Sequence, residues 1–410
     1  MKKQTLAFLL TLLFLIFLTF PPISSLLYIG GAVRLAIYVF GMLVLYPTLI
    51  LKKSMVAILI FGLTMFIFHV LGNGFFDRIE IVIVPILGMM CGMLICEYAF
   101  TYDTKGNFTK MVVITAVVLN VIMALITIPQ LHIHHNLIRN YKDIISDEVA
   151  YGLIPTYWVT SYSTLHGITC LFAPMVFLCR RFFKKKKMKQ FYFWLGAIVV
   201  LMLLLLQANA AIPLIMAFLL TGISLLFNFE HFTSDNIKKV YFVGLIALIL
   251  LNPTILVTLI DTIQKLLPTG GASYIRFEEM KDVIVYGEAD GDLKTRIEHY
   301  RQSLALFFES PLWGTAHPEL ISQHTWFLDR LACFGVLFAW PMFYLFATHI
   351  KRVYRSLNHA QVTFFFGAFG YLLLLLLKND FGIGTWLYAF GILPVMCRYI
   401  DIAIDEQLKE

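Results

Sequence analysis

The chain has 410 residues, 60% of them hydrophobic and only 14% charged, with a mean hydropathy of +0.80. No soluble domain of this size needs that much apolar surface. The net charge of +7 is no nucleic-acid signal, because much of the basic charge stands in short loops between apolar runs, as a membrane topology places it. The runs reach roughly 17–25 residues, the length of a membrane-spanning helix. They do not alternate apolar with polar residues, as a membrane β-barrel would. Backbone buried in lipid must pair internally, so they predict helices. The expected fold is all-α, a polytopic integral membrane protein forming a single membrane domain over residues 1–410.

Met1-Lys2-Lys3 followed by the apolar stretch 6–20 has the look of a signal peptide. Phe20-Pro21-Pro22-Ile23 stands where a small-residue cleavage site would be, so the stretch reads as a retained first span. Windowed hydropathy predicts about twelve spans in all. They lie near 5–22, 30–50, 54–72, 79–99, 109–128, 156–179, 190–206, 210–227, 239–260, 327–349, 360–377 and 383–400. Drawn this way, Lys2-Lys3, Lys52-Lys53, the run 180–189, Lys238-Lys239, and Lys351-Arg352 with Arg355 all fall on one face. That face is expected to be cytoplasmic, with both termini inside. It carries only short loops and no P-loop. The basic run 184–187 is most simply an anchor to anionic lipid. Cys91, Cys96, Cys170, Cys179, Cys333 and Cys397 lie in or beside apolar runs without a CxxC pair, which argues against a disulfide framework or a zinc site. No internal repeat is visible.

Two polar loops are expected on the outward face. The first, about 129–155, holds His132-Ile133-His134-His135 and the acidic stretch 143–148. Its histidines are metal-ligand types, but no carboxylate or Cys stands at a familiar spacing, so no metal is expected. The second, 261–326, separates the ninth and tenth spans and is the largest polar segment. It contains Gly270-Gly271, a candidate helix over 273–285, an acidic turn over 287–292 and a second candidate helix over 294–308. Ser310-Pro311 should end that helix, since the residue before proline is biased away from helical backbone.

Titratable residues concentrate here, and a polar cluster at a membrane mouth is where chemistry is expected. On the second helix Ile297, Tyr300, Leu304 and Phe307 or Phe308 recur at helical spacing and should pack against the membrane domain or its surface. Arg296 and His299 can share a face, as can Glu298 with Arg301 or Gln302. An arginine fork suits a phosphate, because it presents paired donors and keeps its proton. Arg296 and Arg301 can equally be interfacial arginines paired with Glu298 or with lipid head groups. His324, just before a span, suits a general base near neutral pH, or a hydrogen-bonded interfacial histidine. Arg34 lies near the outer end of the second span, where a lone charge is costly unless paired or wet. Asp77-Arg78 with Glu80, and Lys378 with Asp380, complete the outward charges.

Residues 295–340 resemble the shared motif of the O-antigen ligase and O-antigen/capsule polymerase superfamily. The matching residues are Arg296, Tyr300, the turn Pro311-Leu312-Trp313-Gly314, His324, and then Leu328, Leu331 and Gly335. Tyr162-Ser-Thr-Leu-His-Gly resembles a weaker motif of that family. The plan of about twelve spans with a long loop between the ninth and tenth is also similar. Two departures stand out. Ala208-Asn209-Ala210 takes the place of a Ser-Arg-Gly, and Ala316 replaces a second glycine of the turn. A single His324 stands where ligases carry His-x-His, which leans toward polymerase.

The resemblance implies metal-independent, inverting glycosyl transfer with no cofactor. It would occur on the outer face of the bacterial plasma membrane, with loop 261–326 as the catalytic part. The donor would be an oligosaccharide on undecaprenyl pyrophosphate, and a flippase and a chain-length regulator are implied as partners. The leaving pyrophosphate would be held by Arg296 with Arg301, Arg34 or Arg78, each charge-assisted contact contributing about 1.5–3 kcal/mol. His324, with Glu298 second, would take the proton from the acceptor hydroxyl. The alternative within the family is a ligase moving finished polymer to lipid A core or protein. Outside it stands a flippase for the same lipid-linked sugar, which would call for midspan charges or repeats.

Overall fold

An apolar run sealed from water can satisfy its backbone only within itself, and this chain folds accordingly. The computed structural model describes residues 2–20, 31–73, 80–134, 137–138, 158–208, 210–226, 253–267, 269–286, 291–315, 325–377 and 382–409, and these contain helices and turns but no strand. The helices are α1 (Lys3–Thr19), α2 (Gly31–Leu45), α3 (Lys53–Asn73), α4 (Glu80–Tyr102), α5 (Asn107–Ile133), α6 (Tyr162–Thr169), α7 (Phe172–Lys184), α8 (Met188–Gln207) and α9 (Ala211–Leu226). They continue with α10 (Pro253–Gln264), α11 (Ala272–Tyr286), α12 (Gly291–Glu309), α13 (Trp326–Ser356), α14 (Gln361–Leu377), α15 (Ile383–Leu387) and α16 (Leu393–Lys409). A π-turn, Tyr388–Ile392, joins the last two.

Among the described residues six helical segments are long and apolar enough to cross a membrane. A seventh is added if α6 and α7, bent by 48°, form one span. The shorter apolar helices are α1, α2 from Ala32, α9, α10 and α14. This all-α arrangement is consistent with a multi-pass membrane protein. Helices stand where spans were expected along most of the sequence, although most of the expected ninth span (239–260) lies outside the described residues. The sixth span was expected as one run, and here the structure differs. The chain breaks at Cys170 and Leu171, and the eight-residue α6 opens with Ser161 Oγ accepting from the Thr164 amide at 3.2 Å.

The centre of the bundle is α4 against the α15–α16 segment. Gly92 meets Gly391 so closely that a Cβ on Gly92 would lie 3.0 Å from the Gly391 nitrogen. Small residues let two backbones approach in this way. Trp326, Trp386, Phe346 and Phe390 fill the space beside this crossing, with Trp326 and Trp386 ring centres 5.1 Å apart and Phe346 and Phe390 5.6 Å apart. Around the crossing α3 packs on α4 and α13, α5 on α1, α8 and α16, and α7 on α8, α9 and α14. Thr385 Oγ1 donates to the Ser163 carbonyl at 2.8 Å, tying α15 to α6.

Buried carboxylates fasten the loop ends. Asp103 Oδ2 accepts from both the amide and the hydroxyl of Thr109 at 2.7 Å, capping the first turn of α5. Asp401 accepts from the amides of Asn358, His359 and Ala360 at 2.7, 2.8 and 2.8 Å, closing the turn between α13 and α14. All six cysteines are free and buried.

Candidate functional site

The polar segment after α10 forms two helices among its described residues, and both candidate helices appear nearly as expected, as α11 and α12. Lys281 holds α11 to α10 through Asp261 at 2.9 Å and pairs with Glu278 of its own helix at 2.8 Å. Glu278 chiefly, with Asp261, raises the Lys281 ammonium above its ordinary range despite some burial. Gln264 reinforces the junction by donating to the Tyr274 carbonyl at 3.0 Å.

On α12 the expected face is covered only in part, with Ile297, Tyr300 and Phe307 half-buried. Leu304 and Phe308 are exposed, Phe308 to 71%, and are available to lipid. The most deeply buried side chains among the described residues of α12 are polar. Arg296, 9% exposed, Tyr300 and fully buried Ser303 stand one and two turns apart and face the start of α13. The physical reason is Asp329 in the first turn of α13, itself 1% exposed. It accepts from Ser303 Oγ at 2.6 Å and from the Thr325 amide at 3.1 Å. A carboxylate in a helix's first turn meets its exposed amides and the positive end of its dipole. A buried carboxylate demands such donors, and that demand outweighs the pull of Leu304 and Phe308.

Tyr300 links this pair to a third helix by donating its hydroxyl to the Leu377 carbonyl, the last residue of α14, at 3.2 Å. Burial raises the Tyr300 hydroxyl, the Arg296 guanidinium hydrogen-bonded to it lowers it, and Asp329 raises it, so Tyr300 sits within electrostatic reach of both charges. Arg330, next to Asp329, lies over the Phe334 ring at 5.9 Å.

The turn after α12 is built into α13. At Gly335 (φ +61°, ψ 177°) the helix is interrupted, leaving amides and carbonyls without helical partners. The turn supplies them. Pro311 O accepts from Val336 N at 2.8 Å, Leu312 O from Leu337 N at 3.1 Å, and Thr315 N donates to Ala332 O at 3.0 Å. Gly314 also has positive φ (+73°), and a Cβ on it would fall inside the Cys333 carbonyl, while one on Gly335 would overlap the Gly314 nitrogen. Both positions therefore require glycine. Non-helical backbone at membrane depth is tolerated where protein satisfies it, as here.

Arg296 and Tyr300 are thus brought to the start of α13 near Asp329, while Pro311–Gly314 sits on the break at Gly335 further along the same helix. Glu298 and Arg301 lie on the exposed face of α12, away from Asp329, and His299 is half-buried between the two faces. Arg34 stands half-buried on α2, donating to the Phe17 carbonyl near the end of α1 at 3.0 Å. His324 and Arg78 lie outside the described residues, as do His135, Asp77, Lys378 and Asp380; His324 immediately precedes Thr325, whose amide Asp329 holds. In the weaker motif His166 is fully buried, its Nδ1 2.9 Å from the Tyr162 carbonyl. His132 is exposed and His134 half-buried; among the described residues no three His, Cys, Asp or Glu side chains gather as a metal would require.

Asp329 and Ser303 were missed in reading the sequence. The signal was present as Asp329-Arg330 inside an apolar run, since an ionisable residue there is costly and marks a site unless a partner is at hand. Its partner Ser303 carried no signal, because serine is common on exposed helix faces. Chemically, the cluster offers a cation in Arg296, a hydroxyl held beside it in Tyr300, and the buried Asp329 carboxylate bound to Ser303 of the same helix. No family model matches this chain, and no curated protein matches it.

Proposed function

We propose that this protein is a membrane glycosyltransferase of the O-antigen polymerase type. It would join oligosaccharide units carried on undecaprenyl pyrophosphate at the outer face of a bacterial plasma membrane. The observation that carries the reading is that motif residues stand on two packed helices, with nearly buried Arg296 and Tyr300 near Asp329 of α13 and the Pro311–Gly314 turn on Gly335 of that same helix. In this reading the chain crosses the membrane about twelve times, both termini face the cytoplasm, and the polyprenyl tail enters from lipid.

Arg296 stabilises the pyrophosphate as the bond from its oxygen to the anomeric carbon breaks. That leaving group develops negative charge and needs no proton, so a fixed guanidinium suits it. Tyr300 orients Arg296 through the hydrogen bond between them, and Asp329 holds the next turn of α12 through Ser303. The acceptor hydroxyl attacks the anomeric carbon from the opposite face, inverting its configuration, and gives its proton to His324, with Glu298 the second choice. Arg34, Arg78 and Arg301 are the further cations proposed for the pyrophosphate. The absence of His-x-His favours polymerase over ligase.

The test is a gel of surface and carrier-linked glycan from cells lacking the gene and then complemented with wild type or Arg296→Ala. Single repeat units in both the deletion and the Arg296→Ala cells support the polymerase. Long polymer accumulating on the carrier without reaching its acceptor identifies a ligase. Unchanged glycan in the deletion removes the reading altogether.

A further inference from the structure

A second polar site lies at the other end of α13. There the last turns of α13, the start of α3 and the last turns of α4 line an open cavity of about 580 Å³, with Lys52, Lys53, Ser54, Glu97, Tyr344, Thr348, Lys351, Arg352, Arg355 and Ser356 in its wall. Among these lining residues five are cationic and Glu97 alone is acidic. Glu97 is 2% exposed, and its carboxylate accepts from Ser54 Oγ at 2.6 Å and pairs with Arg352 at 3.5 Å. It therefore acts as a buried strut that draws α3 and α13 toward α4 and aims one guanidinium across the cavity wall. Arg352 also donates to Ser356 Oγ at 2.5 Å, which limits its swing.

The remaining cations, Lys52, Lys53, Lys351 and Arg355, come from two chain segments about 300 residues apart in sequence. Lys53, Lys351 and Arg355 are exposed and Lys52 is half-buried, so they stand at a water-filled mouth where their positive potentials add. Hydroxyls of Ser54, Thr348 and Tyr344 add neutral polar groups to the same wall. This combination of a rigid Arg fork, mobile ammonium groups and hydroxyls is the chemistry that binds phosphate oxygens. The excess of positive charge matches a multiply charged anion better than a single carboxylate. Leu51 beside the cavity is 76% exposed, so apolar surface continues from its rim.

We propose that this cavity is a binding site for a phosphate-bearing anion, taken either from an anionic lipid head group or from soluble pyrophosphate. Its lining on α13 runs from Tyr344 to Ser356, 15 (344 − 329) to 27 (356 − 329) residues past Asp329, or about 22–40 Å of helix at about 1.5 Å per residue, so it is separate from the Arg296 cluster and does not depend on the function proposed for that cluster. By the distribution of Lys and Arg it faces the cytoplasm.

The experiment uses the purified full-length protein in neutral detergent and has two arms. In the first, sodium pyrophosphate is titrated against thermal unfolding, with sodium chloride at matched ionic strength as the reference. In the second, phosphatidylglycerol or phosphatidylcholine is added in mixed micelles, and retained lipid is counted by native mass spectrometry. Each arm is repeated with Lys351→Gln/Arg355→Gln, which leaves the Glu97–Arg352 pair intact, and with Lys52→Gln/Lys53→Gln, so that a folding failure in one variant does not stop the test. The expected result is saturable binding in at least one arm, weakened tenfold or more in a folded variant; the arm that responds names the source. Binding in neither arm, or binding of equal strength in wild type and both variants, overturns the proposal.

Discussion

Asp329 shows how one buried charge decides the use of its neighbours. Its carboxylate serves Ser303 Oγ and the Thr325 amide, so removing it strands both donors in a closed interface. Asp329→Ala should cost about 3–5 kcal/mol, as expected for breaking a buried charged network from one side. Ser303→Ala removes a single bond to a charged acceptor and should cost about 1.5–3 kcal/mol. Thermal unfolding in detergent checks the order; a melting point for Asp329→Ala equal to wild type would sink the anchoring role. Tyr300 adds a pH dependence. Its hydroxyl is raised above the ordinary tyrosine value, chiefly by burial, so the folded state favours the neutral form. Its contribution is complete below the unfolded value of about 10 and is lost as pH rises through the higher folded value. The stability difference between wild type and Tyr300→Phe should therefore hold steady to about pH 10 and shrink beyond it. A difference that grows above pH 10 would reverse the assignment.

At the scale of elements, the lock between the Pro311–Gly314 turn and the break in α13 depends on two glycines with positive φ and no room for a Cβ. Gly314→Ala or Gly335→Ala should lose more than about 1–2 kcal/mol from backbone strain alone, with the steric overlap added. Gly196 and Gly222 are controls, because nothing lies within 4 Å of a Cβ at either; alanine there should be neutral or slightly stabilising. Detergent-stable yield by size-exclusion chromatography separates the two pairs, and equal yields for all four variants would remove the lock. Much at this scale was legible in sequence. The loop helices expected at 273–285 and 294–308 extend over Ala272–Tyr286 and Gly291–Glu309, because apolar spacing and the Ser310-Pro311 stop are local signals. The bend between α6 and α7 was not legible, because an apolar run reads the same whether straight or broken.

For the whole molecule, the Arg296–Asp329 cluster and the basic cavity sit at opposite ends of α13. From Asp329 to Arg352 in the cavity wall is 23 residues (352 − 329), about 35 Å of helix against a hydrocarbon core of about 30 Å, so the two are expected on opposite sides of the membrane. The native cysteines are buried, which permits labelling at introduced ones. Arg301→Cys should react with an impermeant maleimide in intact cells, whereas Tyr354→Cys should react only after permeabilisation. Labelling of both from outside would contradict the orientation.

The all-α character, the polar loop with its two helices and the arginine at its centre were determined by the sequence itself, since run length, periodicity and turn residues act over a few neighbours in the chain. Only the tertiary structure decided that α12 buries Arg296 and Ser303 most deeply among its described residues, that Gly314 meets Gly335, and that Lys52 and Glu97 share a cavity with Arg355. These pairings join residues from about 20 to 300 positions apart, and each exists because a buried carboxylate or an interrupted helix must find partners wherever packing supplies them.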